Sequence, residues 1–169
     1  IGTQVISSTV SSNLNQTNLY STFSGTSMAA PNIAGSLVLL QQYYYQTKGE
    51  LPLSSTLKAI TINTASDAGD VGPDPNFGWG IMDSMKSAIT ISENIANETI
   101  FEGTLSQGEE IIFGLEFYND KSEFSVTMCW TDPENESLQN AIDKEVPVLI
   151  NDLDMRIIEN ETVEYFPYA

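Results

Sequence analysis

The sequence predicts an α/β region over residues 1–92 followed by an all-β region over residues 93–169. Two observations carry this division. From Ser27 to about Thr47 the apolar residues recur at spacings of three and four, the period of a helix. Past about Ser92 the spacing falls to two, the period of a half-buried strand. The stretch from Asp67 to Asn76, dense in Gly, Pro and Asp, punctuates the first region as a loop.

Within the first region, Thr3, Val5 and Ser7 alternate with Gln4, Ile6 and Ser8, which predicts a short strand. Polar residues dominate from Ser11 to Ser24 and predict an irregular loop. The following helix shows Ala30, Ile33, Ala34, Leu37 and Gln41 at helical spacing. Ile33 to Leu40 is apolar nearly all round, as expected of a helix buried in a core. Pro31 falls near the first turn, where a missing N–H costs little. Lys48-Gly49 supplies a basic last turn and a stop. A second helix is expected after Pro52, capped by Ser54 or Ser55, with Leu57, Ile60, Thr61 and Thr64 inward. Asp67, Asp70 and Asp74 read as solvated turn residues, with a cation as the alternative. Asn76 to Asp83 reads as a glycine–aromatic–glycine turn, followed by a short helix from Ser84 to Ile89.

In the second region Ile111, Phe113, Leu115 and Phe117 alternate with less apolar neighbours, and so do Phe124, Val126, Met128 and Trp130. With Asn119-Asp120-Lys121 as the turn, they predict a hairpin. Asp152 to Ile158 predicts a further strand with Leu153, Met155 and Ile157 inward. Four to five such strands suggest part of a β-sandwich or jelly roll, truncated at residue 169.

Charge narrows the partners. Acidic residues number 23 against 6 basic ones, for a net charge of −17. No electrostatic footprint for nucleic acid exists, and anionic membranes would repel the chain. The acidity fits a soluble secreted or cell-surface protein, or one that holds calcium on carboxylates. Cys129 is the sole cysteine, so no disulfide forms within the chain, and it falls on the strand face opposite Trp130. No apolar run approaches a membrane span, and Ile1 to Ile6 lack the marks of a signal peptide. Histidine is absent altogether.

The chemistry concentrates in Phe23-Ser24-Gly25-Thr26-Ser27-Met28-Ala29-Ala30-Pro31. A tight turn runs into an apolar helix and sets the Ser27 hydroxyl at a helix N-terminus. Unpaired N–H groups and the dipole there favour a developing negative charge. A helix-capping serine is the simpler role for the same position. The segment Gly25 to Pro31 resembles the active-site serine motif of the subtilisin-like serine peptidases, the subtilases. Ile1 to Thr9 resembles the segment that precedes that motif, and Asn76 to Asp83 resembles the turn that closes the catalytic domain. Asn32 departs from the pattern, where many relatives carry histidine or an aliphatic residue.

The resemblance implies the C-terminal part of a doubly wound parallel-sheet domain. It implies that Ser27 attacks the scissile carbonyl of a protein or peptide substrate while its own N–H serves the oxyanion hole. The histidine base and its aspartate would come from polypeptide upstream, so this piece alone is expected to be inactive. Trp130-Thr131-Asp132 and Val148 to Asp154 resemble a β-domain attached to large bacterial-type subtilases, which in those relatives binds calcium. Asp132, Asn151, Asp152 and Asp154 are the candidate ligands here, with solvated turn carboxylates as the other reading. The alternative function is non-catalytic, a pseudoprotease or a β-sandwich module that binds or stabilises.

Overall fold

Strand-forming residues at both ends of the first twenty-five begin the fold. In a computed structural model, which describes residues 2–10, 19–116, 124–135, 147–160 and 162–168, they pair as a hairpin. The chain divides into two compact units, Ile1–Leu51 and Pro52–Ala169.

In the first unit β1 (Gly2–Ser8) pairs antiparallel with β2 (Tyr20–Gly25). The register sets Ser8 opposite Tyr20, Val5 opposite Phe23 and Gly2 opposite Gly25. An irregularity falls between Gly2 and Val5, where Gln4 adopts a left-handed φ of 51°. The expected loop up to Ser24 is therefore partly wrong. Tyr20 and Phe23 make a strand of a segment whose serines and threonines read as loop, while residues 11–18 lie outside the described residues.

β2 runs without a break into α1 (Thr26–Lys48). The helix ends where predicted, on Gly49 at φ 83°, whose N–H donates to the Tyr45 carbonyl at 2.8 Å. Pro31 is the sixth helical residue rather than a first-turn one. Its missing N–H therefore deprives the Ser27 carbonyl, four residues back, of its helical donor. The all-round burial expected of Ile33 to Leu40 is not met within this unit. Leu40 and Tyr44 are buried, whereas Val38 and Leu39 are 61% and 67% exposed.

In the second unit α2 (Ser54–Asn63) packs on α3 (Ser84–Asn97). The buried stripe of α2 is Thr56, Ile60 and Thr64, one residue round from the expected one at its start. It meets Ser87, Ile91 and Asn94 of α3, and the Thr64 and Ser87 hydroxyls touch at 2.7 Å. Neither Ser54 nor Ser55 caps α2. Leu53 is the N-cap, and the Glu102 carboxylate accepts from the Leu53 N–H and the Thr56 hydroxyl. α3 runs eight residues beyond Ile89, started by Asp83, whose carboxylate accepts from the Lys86 N–H at 2.9 Å. Between the helices Ser66 bridges to Ile81. A Cβ on Gly80 would stand 2.3 Å from the Ser66 carbonyl oxygen, so only glycine allows that approach.

The second region is less regular than its alternation implies. Residues 111–116 and 124–131 join no ladder, and Phe113, Leu115, Phe124 and Val126 are exposed. Alternation assigns faces, but a ladder also needs a neighbouring strand to accept its hydrogen bonds. The expected turn at Asn119 to Lys121 lies outside the described residues. The ladder that does form joins β3 (Ile157–Glu159) to β4 (Val163–Tyr165). A β-sandwich is not observed among the described residues. Nor, among them, is any helix long and apolar enough to cross a membrane.

Candidate active site

Ser27 is the second residue of α1, and it is exposed. Gly25 precedes the helix at φ 152°, ψ 175°, a backbone state open essentially to glycine alone. That state lets β2 turn into α1 without a linker. No side chain caps the helix, and no acid stands in its first turn. The first-turn N–H groups thus face outward with no intrahelical acceptor. Residues 1–47 contain no charged side chain, so no local carboxylate opposes negative charge at this end. An anionic oxygen forming beside Ser27 would meet the positive end of the dipole.

What the turn lacks is a base. A serine hydroxyl is a weak nucleophile until a neighbour takes its proton, and the chain has no histidine. It presents an exposed hydroxyl beside uncapped helix N–H groups, and no imidazole.

Two residues that sequence reasoning did not single out touch the same turn. Gly2 lies against Met28, and the Ser24 hydroxyl accepts from the Gln4 N–H at 2.9 Å. Ser24 gave no signal beyond its place in the motif, because its partner is twenty residues earlier.

The acidic candidates are arranged differently. Asp132 Oδ2 accepts from the Ile150 N–H at 2.7 Å, and Oδ1 from the Asn151 N–H and side-chain amide at 2.8 and 2.9 Å. These bonds, led by that from Ile150, hold its carboxyl below the usual carboxylate range. Trp130 Nε1 donates to the Asn151 carbonyl at 3.0 Å, and Asn135 Nδ2 to that of Val148 at 2.9 Å. The structure thus joins Asp132 to Asn151 and leaves Asp152 and Asp154 as exposed carboxylates. Among the described residues no three Asp, Glu, Cys or His side chains converge to hold a metal. The half-buried Cys129 thiol is pushed up by desolvation, with Lys58 opposing, so it is a poor nucleophile.

A model of the subtilase family matches residues 2–80. Over those residues the chain is similar to the subtilases. Over 63 residues the chain is 38% identical to the Neisserial autotransporter lipoprotein NalP of Neisseria meningitidis serogroup B, covering 37% of this chain and 5% of that one. Over 100 residues it is 33% identical to an extracellular serine protease of Serratia marcescens, covering 55% and 9%. Over 102 residues it is 43% identical to the PII-type proteinase of Lactococcus lactis subsp. cremoris, covering 50% and 5%. The chain spans less than a tenth of the length of these curated relatives. No solved structure matches it significantly. The matched segment includes the whole serine turn, α1, α2 and the glycine-rich turn up to Gly80.

Proposed function

We propose that this chain is the nucleophile-bearing segment of a subtilisin-like serine endopeptidase. Ser27 attacks the peptide carbonyl, and its own N–H donates to the resulting oxyanion. The general-base histidine, its orienting aspartate and the rest of the oxyanion hole come from upstream polypeptide. The observation that carries this reading is the position of Ser27, exposed on an uncapped helix N-terminus inside an intact Gly25-to-Pro31 motif. The family match and relatives named as proteases support it. Relatives named as autotransporter and extracellular proteins favour a secreted or surface location. A boundary near residue 92 between catalytic and β-rich parts fits a family match that stops at residue 80.

A fluorophosphonate probe and a peptide substrate test the reading. The full-length protein should be labelled on Ser27 and turn over substrate, and the 169-residue chain alone should do neither. Turnover by the chain alone would overturn the shared site. A full-length protein that resists labelling would favour the pseudoprotease.

For the second unit we propose that Asp132 is a clip between residues 130–132 and 150–151, because its oxygens already accept three N–H bonds. A calcium ion on Asp132, Asn151, Asp152 and Asp154 is the competing proposal. Calorimetric titration with calcium chloride decides between them: the clip gives no saturable heat, and a calcium site gives one that Asp152→Asn weakens.

A further inference from the structure

We propose that Gly2 and Ser24 are positioning residues for Ser27, an inference that rests on the peptidase reading above. The end of β1 lies against the first turn of α1. A Cβ added to Gly2 would stand 2.9 Å from Met28 Cβ, 3.1 Å from the Met28 carbonyl carbon and 3.2 Å from the Ala29 nitrogen. Two of these are backbone atoms, one and two residues past the nucleophile. They cannot swing aside as the tip of a long side chain would. Gly2 has no left-handed φ, so what the site demands there is space and not an unusual conformation.

The second restraint acts from the other side of Ser27. β1 is irregular between Gly2 and Val5, so the Gln4 N–H falls out of the regular ladder. The left-handed turn at Gln4 aims that N–H at the Ser24 hydroxyl, 2.9 Å away. Ser24 stands three residues before Ser27 and next to the glycine that starts the helix. One strand thus fixes the nucleophile's turn twice, by close contact behind Met28 and by a hydrogen bond at Ser24. Neither residue touches the reacting atoms. Their effect is on where the hydroxyl points, and displacement by about 1 Å can cost on the order of a hundredfold in rate.

The test uses the full-length protease and the variants Gly2→Ala, Ser24→Ala and Ser24→Thr, assayed well below their melting temperatures. Gly2→Ala and Ser24→Ala should each lower kcat and the fluorophosphonate labelling rate about tenfold, with KM within twofold of the parent. Ser24→Thr, which keeps the acceptor oxygen, should restore both rates. A purely structural role would shift the melting temperature and leave kcat in place. Folded alanine variants with kcat within twofold of the parent, or a threonine variant that rescues nothing, overturn the proposal. If Gly2→Ala does not fold, the Ser24 pair decides, since that side chain is exposed. An unsubstituted protease that neither labels nor turns over removes the peptidase reading, and this proposal with it.

Discussion

Residues 1–47 carry no charged side chain, and Lys48 and Glu50 are the only charges of the first unit. The entire net charge of −17 therefore falls on Pro52–Ala169. The two units accordingly hold their turns by different means. In the first, glycines and hydroxyls do it: Gly25 by its backbone state, Gly2 by leaving space, Ser24 by accepting from Gln4. In the second, carboxylates accept backbone N–H groups. Asp67 takes those of Ala68 and Gly72, Asp74 those of Asn76 and Phe77, and Asp132 those of Ile150 and Asn151. The difference has a chemical sense. A carboxylate is a strong acceptor for a loop, but beside Ser27 it would oppose the charge an oxyanion must carry.

Ser27→Ala should produce the largest effect on either side of this contrast. On the peptidase reading, turnover by the full-length protein should fall on the order of a millionfold, with thermal stability unchanged. A stability loss of comparable weight would mean that Ser27 is chiefly a cap. Next comes Ile91→Ala, which empties the fully buried centre between α2 and α3. It should cost about 3 kcal/mol in a denaturant titration. Hydrogen exchange should quicken across α2 and α3 and stay as it was in α1; equal loosening of both units would break the comparison.

The smallest effect is local. Asp132→Ala should speed exchange of the Ile150 and Asn151 amides and little else. Acid should do the same to the unsubstituted chain. The Asp132 carboxyl is held below its ordinary value, so its contribution exists above the usual carboxylate range, about 3.9, and is lost as pH falls through the lower folded value. Exchange corrected for intrinsic pH dependence should show those two amides losing protection below about pH 4. Protection that persists to pH 1 would remove Asp132 as their anchor.

Much of the first unit was legible because its signals are local. Thr26–Lys48 matches the expected helix to within a residue at each end, since both the serine turn and Lys48-Gly49 are contiguous motifs. The candidate Ser27 lies in the same stretch, at the start of that helix. What escaped were features made by residues far apart in sequence. Glu102, 49 residues beyond Leu53, accepts from the N–H of that N-cap residue, a partner the nearby serines do not announce. The Gln4–Ser24 bond depends on a bulge that no composition shows. α3 continues past the expected end at Ile89 because Ser87, Ile91 and Asn94 form one buried stripe. The alternation over 111–130 was real as a pattern, yet it names no partner strand for either half.

Val38 and Leu39 form an oily ridge along α1 that water must solvate for as long as nothing lies over it. In a purified preparation the net charge of −17 is what keeps such surfaces on separate molecules apart, so salt that screens it should promote clumping.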